Sequence, residues 1–124
     1  MNRALRLLDH ALSLDDRRLW SEAAEAYAVA SDAAEEAQNP QLARDIRRAM
    51  RRALVWRWAE ERFGTEGVIV TSLTSMRGQK EPRSFRVSYT KPGPGYYPQF
   101  GDVIVRVDNR GRVSLVTYSG RGRR

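Results

Sequence analysis

Between Pro40 and Phe63 the chain reads PQLARDIRRAMRRALVWRWAEERF, a long run with no internal glycine or proline. Such a run is helix-forming throughout, and the leading proline suits a first helical turn. At about 100° per residue, Leu42, Ile46, Ala49, Met50 and Ala53 share one side. Arg44, Arg47, Arg48, Arg51 and Arg52 share the opposite side, and Arg62 continues their stripe. The spacing therefore predicts one helix over 41–63, with a core-facing seam and an arginine ridge along its back. The rest of the chain is organised around it.

Two shorter helices are predicted upstream. Over 3–14, Leu5, Leu8 and Leu12 keep i, i+3, i+7 spacing, widened by Ala4, Leu7 and Ala11. Asp15-Asp16 is expected to supply the turn and the cap of the next helix, with carboxylates near its positive end. That helix, over 17–37, lines one side with Trp20, Ala23, Ala24, Tyr27, Ala30 and Ala34, and the other with Glu22, Glu25, Asp32 and Glu36. Small alanines let a neighbouring helix approach closely, so Tyr27 and Ala30 are expected at the contact with the third helix. Short turns make the three an antiparallel hairpin plus one.

Ala23-x-x-x-Tyr27-x-x-Ala30 resembles the second-helix pattern of a tetratricopeptide repeat, and the three-helix layout is similar to a microtubule-interacting-and-trafficking domain. Either resemblance covers residues 3–62, about half the chain. It implies a helical groove that receives a partner's helix.

After Gly64 the period changes from helical to alternating. Gly64-Thr65-Glu66-Gly67 reads as a loop, with Gly64 placed as a helix C-cap. Strands are predicted over 68–73, 84–90, 102–108 and 112–118. Phe85, Val87 and Tyr89 point one way with Val103, Val105 and Val107, leaving Arg86, Arg106 and Arg112 on the other face. Asp108-Asn109-Arg110-Gly111 closes a hairpin with glycine where a positive φ is expected. If Asp108 faces Arg112, then Arg106 faces Ser114 and Val105 faces Leu115. The segment 91–100, KPGPGYYPQF, sets Tyr96, Tyr97 and Phe100 among prolines that restrain the free loop. These three aromatics are candidate partner contacts, with the alternative that they fold back over the end of the sheet. Residues 76–83 read as a polar loop.

Helices followed by an antiparallel sheet with basic residues on one face also resemble the RelE/ParE-like ribonuclease toxins. There Arg86, Arg106, Arg112 and Tyr118 would grip RNA, although no strand precedes the helices here. A sheet wrapping helices is similar to the NTF2/cystatin-like group as well, which implies binding without catalysis.

Composition narrows the chemistry. No cysteine is present, which removes disulfides, thiol catalysis and thiolate metal sites. The one histidine, His10, lies on a leucine-rich helix and reads as a helix-surface residue. No phosphate loop, catalytic triad or metal-ligand cluster is present, and Asp15-Asp16 and Glu60-Glu61 are adjacent pairs whose side chains diverge on a helix. No stretch approaches about 20 apolar residues, so a cytoplasmic protein without cofactor or metal is expected. The formal net charge of +7 is unevenly spread. Residues 1–37 hold four arginines against eight carboxylates, net −4, while residues 38–124 hold 18 basic against seven acidic side chains, net +11. An anionic partner would match the basic stretch, and the acidic helices themselves are an alternative neutraliser.

The expected architecture is α+β: three N-terminal helices, then a four-stranded antiparallel sheet. Both fall in one domain over 1–118, its helices within 1–63 and its sheet within 67–118, with a basic tail at 119–124. The expected function is a small non-enzymatic binding or adaptor protein that contacts a partner protein through a helical face and Tyr96, Tyr97 and Phe100. The alternative is nucleic-acid binding through Arg44, Arg47, Arg48, Arg51, Arg52, Arg86, Arg106 and Arg112, with a ribonuclease-type toxin as a more distant reading.

Overall fold

The structure, a computed structural model, describes residues 2–64, 69–75, 83–91 and 99–119, apart from the side chains of 75, 99, 118 and 119. The fold is α+β. Helices α1 (Asn2–Asp16), α2 (Trp20–Glu36) and α3 (Pro40–Phe63) precede strands β1 (Ile69–Ser75), β2 (Ser84–Lys91), β3 (Gln99–Val107) and β4 (Val113–Ser119). The chain divides into two compact units, Met1–Leu54 and Val55–Arg124, so α3 contributes its first turns to one and its last turns to the other.

In the first unit the two helix junctions have the same backbone. Arg18 N–H donates to the Asp15 carbonyl and Leu19 N–H to Leu14; twenty residues on, Gln38 N–H donates to Glu35 and Asn39 N–H to Ala34. Each is the double bond that closes a helix through one left-handed residue, here Arg18 and Gln38, both at φ 59°. This geometry displaces the expected first cap. Asp15 and Asp16 end α1, and α2 starts behind Leu19, which makes no side-chain capping bond. At α3 the cap is Asn39, whose Oδ1 accepts from Leu42 N–H at 3.2 Å.

Side-chain size decides which side of each helix is covered. On α1 the buried residues are Ala4 and Ala11, while Leu5 and Leu12, expected in the core, are each 44% exposed. Helix α2 buries Ala23, Ala24, Tyr27, Ala30, Ser31, Ala33 and Ala34. Alanine surfaces bring helix axes close but bury little area each, at about 0.8 kcal/mol per methylene-sized group. The larger buried side chains, Tyr27, Ile46 and Leu54, carry more of the apolar burial. Tyr27 and Ala30 are buried as expected, but the Tyr27 hydroxyl is bonded to α1. On α3 the covered arc holds Ala43, Ile46, Arg51, Ala53 and Leu54. It is turned toward the arginines relative to the predicted seam.

In the second unit α3 buries a further stripe, Val55, Ala59 and Phe63, at i, i+4, i+8. The sheet is an antiparallel meander in the order β1-β2-β3-β4. Its buried face carries Leu73, Phe85, Val87, Val103, Val105 and Val107. The predicted register holds: Arg106 lies opposite Ser114 and Val105 opposite Leu115. Asp108 Oδ1 accepts the amide N–H groups of Arg110 and Arg112 at 2.8 and 2.9 Å, and Gly111 takes φ 78°. The Arg112 amide, then that of Arg110, holds the Asp108 carboxyl below the usual carboxylate range. Both outer strands break register, β1 between Val70 and Ser72 and β4 against Ile104/Val105. At the first break Thr71 Oγ1 donates to the Ser88 carbonyl at 3.1 Å.

Strand β3 starts three residues earlier than its alternation suggested, because Gly101 belongs to the ladder opposite Tyr89. The Tyr89 ring lies over that glycine and stacks on Phe63 at 4.8 Å between centroids, and Phe63 meets Trp58 edge-on at 5.8 Å. A Cβ at residue 101 would fall 2.5 Å from Tyr89 Cζ. Because Tyr89 is held from its other side by Phe63, it has little room to yield. Gly101→Ala is therefore expected to destabilise the protein by about 1–3 kcal/mol, the usual cost of overpacking. Urea unfolding of a double-mutant cycle checks this: in a Tyr89→Ala background the same change should cost far less.

Candidate partner-binding and anion-binding surfaces

The five ridge arginines of α3 separate into three groups. Arg51, expected on the exposed ridge, is only 7% exposed. Arg47 is half-buried, and its Nη1 donates to Glu35 Oε1 of α2 at 2.7 Å. An acidic second helix thus neutralises some of the charge of the basic third one. Arg44, Arg48 and Arg52 remain exposed, spaced i, i+4, i+8. They form a line roughly 12 Å long by the helical rise. Arg44 Nη2 donates to Gln41 Oε1 at 2.8 Å, and Gln41 Nε2 donates to Asp45 at 3.1 Å.

The sheet arginines differ in how far they are exposed. Arg106 is exposed, opposite Ser84 and Ser114. Arg86 is half-buried between Thr74 and Ile104, with its Nε enclosed and making no hydrogen bond. Arg112, expected in the last strand, precedes it and is exposed in the turn. On the same face Ser88 Oγ donates to Asp102 Oδ1 at 2.7 Å, and Asp102 is buried. Sequence reading misses that pair, although strand alternation places both residues on the polar face. The Tyr118 side chain lies outside the described residues.

Of the candidate aromatic contacts, Tyr96 and Tyr97 lie outside the described residues. Phe100, expected in the loop, is the second residue of β3 and 54% exposed. It pairs with Thr90, which pairs with Ile69 on the other side; Ile69 too is exposed, so two exposed apolar side chains flank Thr90 across three strands.

A concavity lies between α1 and α2 within the first unit. It is an open groove of about 410 Å³, lined by Leu7, His10 and Leu14 of α1 and by Glu22, Glu25, Ala26 and Val29 of α2. Leu7 and Leu14 are two turns apart, as are Glu22 and Val29, and Ala26 leaves room between them. Val29 is 48% exposed. One sequence signal does point to this groove. Val29 is an apolar residue at i+7 from Glu22, on the polar side of an alanine-rich helix. His10, read as a helix-surface residue, is exposed at the groove's edge.

What fixes the two walls is a bond between them. Tyr27 is buried, and its hydroxyl donates to Asp15 Oδ2 at 2.7 Å. Burial, then the hydrogen bond it donates to the Asp15 carboxylate, raises the Tyr27 pKa well above the ordinary phenol value.

Among the described residues no group of acidic or histidine side chains is arranged to hold a metal ion, and no helix is long and apolar enough to cross a membrane. No protein-family model matches the chain, and no curated protein or solved structure proved similar to it.

The wall-to-wall bond has a measurable signature. Tyr27→Phe should lower stability at neutral pH by about 1.5–3 kcal/mol, as for hydrogen bonds to charged acceptors. A raised phenol pKa stabilises the fold fully below the unfolded value, about 10, and that contribution fades as pH climbs toward the folded value. Urea titrations from pH 7 to 11 should show the wild type losing this increment in alkali, while the variant falls less steeply.

Proposed function

We propose that this chain is a non-enzymatic binding protein whose α1/α2 groove receives a helix from a partner protein. The observation that carries the reading is the groove itself. Its floor is apolar (Leu7, Leu14, Ala26, Val29), it is about two turns long, and it is open to solvent. Helix-in-groove recognition uses such a surface, with anchors at i, i+3, i+4 and i+7 of the bound helix. The walls are preorganised by the Tyr27–Asp15 bond, so little ordering cost falls on binding. The resemblance of Ala23, Tyr27 and Ala30 to helical-hairpin binding modules points the same way. Exposed Phe100 and Ile69 offer a separate apolar contact on the sheet.

Helices selected on the protein from a display library of random amphipathic sequences test this reading. Val29→Asp is expected to weaken the selected helices at least about tenfold, the effect of placing a charge against an apolar anchor. Its thermal midpoint should hardly move, because Val29 is half-exposed. Selected helices indifferent to Val29→Asp would remove the groove from consideration.

One observation favours a second reading. Arg44, Arg48 and Arg52 are exposed and aligned along α3, a line of positive charge of the kind that a phosphate backbone attracts. Three phosphate contacts would give a slope of roughly −2 to −3 for log K against log salt. Anisotropy with labelled duplex DNA and RNA should show that slope, and changing all three to glutamine should flatten it. Arg47 and Arg51 stay in place, since the first is paired with Glu35 and the second is buried. Absence of salt-sensitive binding would retire the nucleic-acid reading.

A further inference from the structure

The acidic side chains of α2 are not equivalent. Glu35 pairs with Arg47, and Glu36 with Arg3 at 3.4 Å. Glu22 and Glu25, also exposed, make no hydrogen bond or ion pair among the described residues, and these two line the groove. They stand at i and i+3, about 4.5 Å apart along the helix, with Ala26 and Val29 beside them. The groove thus joins an apolar floor to one rim bearing two uncommitted negative charges. Resting on the reading of the groove as a partner site, we infer that its occupant is a basic amphipathic helix, with apolar residues on one seam and lysine or arginine along the flank that meets Glu22 and Glu25.

Four other occupants fit less well. A phosphate backbone or an anionic membrane surface would be repelled by the two carboxylates. A second intact copy has its basic helix in α3, but Ala43, Ile46, Ala53 and Leu54, the apolar residues that helix would need to offer, are already buried. An acidic helix would meet the apolar floor at the cost of like charges on the rim. A basic one gains on both, and its charges also steer the encounter.

Two labelled synthetic helices with the same leucines at i, i+3, i+4 and i+7, one flanked by lysine and one by glutamate, decide the matter on the full chain. The lysine helix should bind tighter than the glutamate helix by on the order of tenfold, the size expected of two rim ion pairs. The gap should narrow as salt is raised. Glu22→Lys combined with Glu25→Lys should reverse the preference, and both sites are exposed, so an unchanged thermal midpoint shows the fold intact. If the two helices bind equally and both are lost with Val29→Asp, the groove is a partner site and the charge inference is overturned. If neither binds, the groove reading falls and the inference falls with it. A shift to dimer mass in the absence of peptide, abolished by Val29→Asp, would overturn the inference in favour of a second copy.

Discussion

The buried hydrogen bond from Tyr27 to Asp15 sets the geometry of the helical unit. A phenol on α2 and a carboxylate near the end of α1 can meet at 2.7 Å in one axial register only. The alanine seams permit close approach but do not select a register, because methyl groups interdigitate almost equally well in several. The directional bond does select one, and it sits beside the left-handed turn at Arg18. Leu7 and Leu14 are thereby placed across from Ala26 and Val29, and the groove exists as a consequence.

The second unit is held by a contact of a different kind. Strand alternation supplies an apolar face, but a valine-rich face is shallow. Tyr89 supplies depth, and it fits because Gly101 across the ladder has no side chain to oppose it. Phe63 on α3 then stacks on the ring, which ties the last turn of the helix to the middle of the sheet. Helix α3 is thus used twice, with Ile46 and Leu54 serving one unit and Val55, Ala59 and Phe63 the other.

The layout of elements was legible from periodicity, and in the β3–β4 hairpin even the pairing was. Asp108 and Gly111 identify the turn, and once the turn is placed a period of two fixes the pairing as far as Val105 and Leu115, beyond which β4 breaks register. The helices were less legible for the same reason in reverse. A period of 3.6 gives the angles among Arg44, Arg47, Arg48, Arg51 and Arg52 but leaves open which arc a neighbour covers. Arg51 is buried, so the covered arc reaches into the arginine side of the helix. On α1, leucines outnumber alanines, yet the alanines face α2 because close approach there needs small residues. Of the candidate sites, the ridge narrows to its exposed members only once helix packing is known. The groove depends on two helices at once, and an apolar Val29 on the polar side of α2 is the one signal of it that a single helix carries.

The sheet has two outer strands, and an outer strand normally offers a row of free amides to any extended peptide. Here each is interrupted: Thr71 spends its hydroxyl on the Ser88 carbonyl inside a break in β1, and β4 slips by one residue against Ile104/Val105. A straight peptide laid along either border would lose step with it after a few residues. Recruitment by strand addition is therefore disfavoured at both borders, and so is stacking of one sheet onto the next into fibrils.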